Sequence, residues 1–188
     1  MDKEKELEAL GEKKLSSEKI FEGKILRVMV DGVLLPNGKE AKRECVRHNG
    51  AVAIIPVTAE GKIVVERQYR YPVNEVLTEI PAGKLDYPGE DMLSAAKREL
   101  REETGFTADE WTDLGFIYPA VGYSDEKIRL YMAKGLHKGE RELDEDEFLN
   151  YDEAELDTLV GEVMNGKIPD SKTQAGILRA AVILKGLK

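Results

Sequence analysis

The chain has 188 residues, 41% hydrophobic and 35% charged, which suits one compact domain with a full core and excludes collagen, coiled-coil and disordered classes. Lysine plus arginine total 28 against 37 aspartates plus glutamates, and the net charge of −9 opposes non-specific binding to nucleic acid or anionic lipid. The longest apolar runs, such as residues 51–57, fall far short of the roughly 20 residues of a membrane-spanning helix, and the charged start Met1-Asp2-Lys3-Glu4 has no apolar signal core, so a cytoplasmic protein is expected.

Residues 1–20 mix acids and bases with Leu7, Leu10 and Leu15 at weak periodicity and read as a charged arm or short helix. From Phe21 the pattern changes to short strands at 23–31, 40–48, 51–58 and 62–69, separated by the Pro36-Asn37-Gly38 and Glu60-Gly61 turns. They are expected to form an antiparallel meander, in which Cys45 is a small half-buried strand residue with no disulfide partner. A helix is predicted over 94–104, opened by the acids of Pro88-Gly89-Glu90-Asp91, striped by Leu93, Ala96 and Leu100, and closed by Gly105. Further strands are expected at 113–118, 127–135 and 148–152, and helices at 153–165 and 171–187. This order argues an α+β domain whose helices cover a mixed sheet. Between residues 140 and 157 ten acids face the single base Arg141, a solvated or mobile stretch whose carboxylates can also serve a metal. His48 and His137 have no second histidine nearby and suggest no zinc site.

The informative stretch runs from Gly83 to Phe106, a glycine loop leading into a helix dense in glutamate. Glu99 and Glu103 are i, i+4 neighbours and Glu102 is three residues from Glu99, so their carboxylates crowd one side. Like charges at that spacing repel by about 0.2–0.5 kcal/mol per pair, a cost that a divalent cation reverses. The pattern Gly83…Glu90…Arg98-Glu99-Leu100-Arg101-Glu102-Glu103-Thr104-Gly105-Phe106 resembles the Nudix box, G-x5-E-x7-R-E-U-x-E-E-x-G-U, where U is apolar. The match departs from the family in one place: six residues, not five, separate Gly83 from Glu90, the extra one lying in the Asp86-Tyr87-Pro88-Gly89 turn.

The resemblance implies the Nudix fold, a mixed β-sheet sandwiched by helices with an N-terminal antiparallel strand region. It also implies hydrolysis of a nucleoside diphosphate linked to another moiety, with Mg²⁺ or, in its place, Mn²⁺. By the same resemblance Glu99, Glu103 and the Ala82 carbonyl hold the metal, Glu102 and Arg98 belong to the catalytic set, and Arg98 orients the glutamates. The flanks Gln68-Tyr69-Arg70 and Glu79-Ile80-Pro81-Ala82-Gly83 are similar to the ADP-ribose pyrophosphatase branch, with cleavage of ADP-ribose to AMP and ribose 5-phosphate as the implied reaction. That branch usually carries Ser-Pro-Gly where this chain has Ala120-Val121-Gly122, so another nucleoside diphosphate sugar, a dinucleotide, or a binding module without catalysis stand as alternatives. The branch further implies substrate contacts at Arg67, Arg70 and Glu126, a general base at Glu145 and a metal ligand at Glu147. Arg67 and Arg70 are three apart on a strand and point to opposite faces, so one of them suffices for a diphosphate. A homodimer is implied as well, with residues 21–50 as its arm, 1–20 as a charged extension and 51–188 as the hydrolase domain.

Overall fold

The computed structural model describes residues 2–143 and 148–186. The chain divides into two compact units, residues 1–48 with 120–126, and residues 49–119 with 127–188. No helix among the described residues is long and apolar enough to cross a membrane.

The first unit begins with helix α1 (Lys3–Leu10), capped by the Asp2 carboxylate on the Glu4 amide. Three strands follow, β1 (Lys13–Glu22), β2 (Arg27–Leu34) and β3 (Glu40–Arg47), in an antiparallel sheet of order β1-β2-β3. The stretch 1–20, expected as a charged arm or short helix, holds helix α1, and most of its second half is strand, paired with β2 from Lys13↔Leu34 to Glu22↔Arg27. Every residue of β1 is exposed, so no alternation of apolar and polar side chains marked it in the sequence. What holds it is the backbone ladder and the buried Asp31 of β2, which accepts from Ser17 and pairs with Lys14 (3.2 Å) and Arg47 (2.6 Å). Residues 120–126 join this unit through Val46 N–H to the Tyr123 carbonyl (2.7 Å) and His48 N–H to Asp125 (2.8 Å).

The second unit comprises β4 (Ala51–Pro56), β5 (Ile63–Arg70), β6 (Glu75–Glu79), β7 (Ala82–Lys84), α2 (Met92–Thr104), β8 (Phe106–Ile117), β9 (Ile128–Lys138), β10 (Leu149–Ala154), α3 (Leu156–Met164) and α4 (Ser171–Leu184). They build two sheets, of order β7-β4-β9-β8 and β10-β5-β6. The meander expected over 23–69 is corrected here. Only β2 and β3 form such a hairpin, whereas β4 runs parallel to β9, from Ala51↔Ile128 to Pro56↔Ala133, and antiparallel to the short β7. The reason is burial: all six residues of β4 are inside, so it is a central strand with helices on both faces. Val52 and Ile54 pack with Ala95, Ala96 and Leu100 of α2, while Ala53 and Ile55 pack with Leu159 of α3 and Ile177 and Ala180 of α4. A mixed sheet between helices is the expected α+β arrangement.

Candidate active site

Helix α2 carries most of the site, and its ends are fixed as its sequence directs. The Asp91 carboxylate caps the first turn by accepting from Ser94 N–H (2.8 Å). Gly105 closes the last turn in the left-handed region (φ 79°), its N–H bonded to the Arg101 carbonyl (2.8 Å). Ala95, Ala96 and Leu100 face the core, which turns Glu99 and Glu103 toward strand β7 rather than toward solvent.

Glu99 and Glu103 are buried, at 8% and 3% exposure, which for two carboxylates one helical turn apart demands polar partners. Strand β7 supplies them. The Ala82 N–H donates to Glu103 Oε2 (2.9 Å). The Glu99 carboxylate rests on the α-carbon of Gly83, where any side chain would overlap it. Glycine is required at that position for space, not for an unusual backbone angle.

Arg98 bridges the carboxylates of Glu99 and Glu102. Its Nη1 donates to Glu99 Oε1 (2.8 Å) and Glu102 Oε2 (3.0 Å), its Nη2 to the Lys84 carbonyl (3.4 Å), and the Asp86 and Glu90 carboxylates each lie 3.6 Å from the guanidinium, at Nε and Nη2. Burial by itself would lower the pKa of this guanidinium, but Glu99, Glu102 and Asp86 outweigh it and hold Arg98 well above the ordinary arginine value. Glu90 stays in the cluster despite the extra loop residue. Its Oε2 accepts from Asp86 N–H (2.7 Å), and the chain reverses at Gly89 (φ 88°), where nothing lies within 4 Å to resist an insertion.

Strand β5 separates the two arginines as its alternation requires. Arg70 shares a face with Val64, which packs on the α2 side of the core. Arg67 lies on the other face, in the lining of a cavity of about 440 Å³ with Thr78, Glu162, Lys167 and Pro169. The structure thus brings Arg70, and not Arg67, to the side of the box helix. Arg70 grips Glu79 with both arms of its fork, Nε to Oε1 (2.7 Å) and Nη2 to Oε2 (2.8 Å). Glu79, with Asp170 and Glu103, raises the Arg70 pKa against the effect of burial.

Glu79 and Lys172 had no role assigned from sequence. Glu79 is 2% exposed and sits directly across the β5–β6 ladder from Glu66, also 2% exposed. Burial would raise its pKa, yet Arg70 and Lys172 together hold it below the usual glutamate value. The Lys172 ammonium donates to Glu79 and to Asp170 (3.1 Å), and Asp170 in turn caps α4 on Thr173 N–H (2.9 Å). Thr173 Oγ1 accepts from Ile80 N–H (3.0 Å). The only sequence signal for Glu79 was its place before Ile80-Pro81-Ala82-Gly83; Lys172, 93 residues away, had none.

Glu102 faces Arg98 and also lies 3.8 Å from Arg101, and its carbonyl accepts from Glu142 N–H (3.2 Å). Glu126 belongs to the first unit, its carboxylate 3.9 Å from His48 Nδ1. Glu145 and Glu147 lie outside the described residues. His137 pairs with Asp109 (2.8 Å) on the surface, and Cys45 is a free thiol.

Among the described residues no three histidine, cysteine or acidic side chains converge as a ready-made cage. The donors fit a hard divalent cation nonetheless: two buried carboxylates turned to strand β7, and no side chain at Gly83. A cation that keeps several waters and takes its remaining oxygens from substrate phosphates needs no more from protein than one or two carboxylates.

Residues 47–171 match the NUDIX domain family, and residues 12–46 match the nucleoside diphosphate sugar hydrolase N-terminal domain. The chain belongs to the Nudix family, whose members generally use a divalent metal. It is 43% identical to an ADP-ribose pyrophosphatase of Bacillus subtilis (strain 168), over 91% of this chain and 93% of the relative. It is 48% identical to a protein named methanol dehydrogenase activator from Bacillus methanolicus, over 86% of this chain and 88% of that one. A crystal structure of an ADP compounds hydrolase superposes with a TM-score of 0.81 at 26% identity, covering 93% of this chain and 95% of the other.

Proposed function

We propose that this chain is a Mg²⁺-dependent ADP-ribose pyrophosphatase that releases AMP and ribose 5-phosphate. The observation that carries the reading is the pair of buried carboxylates, Glu99 over Gly83 and Glu103 on the Ala82 amide, on the side of the sheet that also presents Arg70. When bound, the cation supplies neutralisation of the diphosphate oxygens and a water acidic enough to be deprotonated near neutral pH. Glu99, Glu103 and the Ala82 carbonyl would hold it, as the family resemblance implies, with Mn²⁺ as a working substitute. Arg98 donates to both Glu99 and Glu102 and keeps them correctly turned. Arg70, 41% exposed beyond its fork on Glu79, offers its remaining nitrogen Nη1 to the diphosphate. The attacking water forms a bond to one phosphorus, the bridging P–O bond breaks, and the water proton passes to a carboxylate, for which the family resemblance nominates Glu145. The same resemblance nominates Glu147 as a further ligand and Arg67 and Glu126 as further substrate contacts.

The family resemblance supports a homodimer in the cytoplasm, with residues 21–50 as its arm. Light scattering of the purified chain tests that state directly. For the activity, the test is chromatography of products after incubation with Mg²⁺ and ADP-ribose, ADP-glucose, GDP-mannose, NADH or diadenosine polyphosphate. AMP plus ribose 5-phosphate formed fastest from ADP-ribose supports the reading; faster cleavage of another substrate leaves the hydrolase and removes this specificity. A second reading, activation of a dehydrogenase, is favoured by the relative named methanol dehydrogenase activator. Stimulation of a methanol dehydrogenase by this chain, absent with Glu103→Gln, would support it.

A further inference from the structure

The strongest unassigned group in the second unit is the ammonium of Lys172. It is 12% exposed, and it is spent on two acids rather than on solvent. Its first partner, Glu79, faces Glu66 across the β5–β6 ladder, and like charges directly opposite each other on a sheet are destabilising. Two cations therefore converge on Glu79, Arg70 from its own sheet and Lys172 from the first turn of α4. Asp170 and Thr173 fasten the same turn to the sheet, Asp170 through Lys172 and Thr173 through Ile80 N–H, three residues before Gly83.

From this geometry we infer that Lys172 is a positioning residue for substrate binding: by sharing Glu79 with Arg70, it keeps the Arg70 guanidinium in place and spares it from neutralising Glu79 alone where the diphosphate binds. The inference rests on the proposed hydrolysis of a nucleoside diphosphate and adds to it a residue that touches neither substrate nor metal. The reasoning is electrostatic. With Lys172 present, the carboxylates Glu79 and Asp170 are matched by Arg70 and Lys172, one for one. Without it, Arg70 must neutralise Glu79, and a site that receives a dianion becomes more negative by one charge. The loss falls on binding, because the diphosphate is charged before the reaction as well as during it.

The test compares wild type, Lys172→Met, Lys172→Arg, Arg70→Ala and the Lys172→Met/Arg70→Ala double variant. Each is assayed for KM and kcat with ADP-ribose and Mg²⁺, for ADP-ribose affinity by calorimetry in EDTA, and for its thermal midpoint. The expected result for Lys172→Met is a rise of about tenfold in both KM and the dissociation constant, with kcat within about twofold of wild type. Lys172→Arg, which keeps the charge, restores most of the affinity. In the Arg70→Ala background Lys172→Met adds less than about twofold, since the guanidinium it serves is gone. Unchanged KM and affinity in a folded Lys172→Met variant overturn the inference, and so does a lowered midpoint with unchanged KM, or an effect that adds in full to that of Arg70→Ala. Should Lys172→Met not fold, Lys172→Gln, which keeps a hydrogen-bond donor and drops the charge, carries the same comparison. A wild type that neither cleaves nor binds ADP-ribose overturns this inference and the proposed function together. A wild type that does both, beside an unaltered Lys172 variant, overturns this inference alone.

Discussion

Helix α2 and strand β1 come from equally charged stretches of sequence and end in opposite environments. Strand β1, Lys13-Lys-Leu-Ser-Ser-Glu-Lys-Ile-Phe-Glu22, is exposed at every position. Helix α2 buries two of its glutamates beside its alanines and leucine. The difference is not in the residue types but in what waits for them: an amide at Ala82, a bare α-carbon at Gly83 and the hub of Arg98 on one side, and mostly solvent on the other. Charge in a sequence says that a group must be solvated; only the fold says whether water or protein does it.

The sharpest way to break the comparison is to make a box glutamate behave like a surface one. Glu103→Gln retains an acceptor for Ala82 N–H and removes the charge, so turnover is expected to fall by roughly 10³-fold or more while the circular dichroism spectrum is unchanged; near-normal turnover would remove Glu103 from the metal set. Arg98→Met leaves Glu99 without its neutralising partner. Loss of a buried pair costs about 3–5 kcal/mol, and because the Arg98 side chain is 26% exposed a smaller loss, about 1–3 kcal/mol in urea unfolding, is expected alongside a severe fall in activity. Gly83→Ala introduces the methyl group that overlaps Glu99, with about 1–3 kcal/mol of destabilisation and weakened metal affinity measured by calorimetry with Mn²⁺.

Acid distinguishes the regions more gently. Glu79 has a folded-state pKa below its unfolded value, so its contribution to stability is present in full above the usual glutamate value near 4.5 and is lost as pH falls through the lower folded value. The thermal midpoint is expected to drop on acidification below that point, and Glu79→Gln to flatten the drop. The smallest effect is expected on β1. Phe21→Ser, at a residue 55% exposed, should change protomer stability by less than about 0.5 kcal/mol in urea, whereas in the proposed dimer arm it should lower the dimer fraction seen by light scattering.

The same contrast explains what could be read in the chain before its structure. Helix α2 was legible because its signals are local: Asp91 to cap it, an apolar stripe at helical spacing, Gly105 to end it. The opposite faces of Arg67 and Arg70 were legible from strand alternation alone. Strand β1 was not, since a fully exposed strand has no burial pattern to display, and the parallel pairing of β4 with β9 was not, since it joins residues 77 apart at Ala51↔Ile128. The Glu79–Lys172 pair spans 93 residues, and neither side chain stands in a motif that names the other. Pairings of this kind are set by topology and become visible only when the sheets are assembled.

Strand β7 is three residues long and is keyed to β4 by three pairs, Ala51↔Lys84, Val52↔Gly83 and Ala53↔Ala82. A slip of one place would put the side chain of Ala82 or Lys84 where Glu99 now rests. Such a molecule would keep its helices and nearly all of its sheet, and would pass as native by circular dichroism. On the proposed function it would be inert, because the sheet acts as a ruler whose single bare mark is the seat of the Glu99 carboxylate.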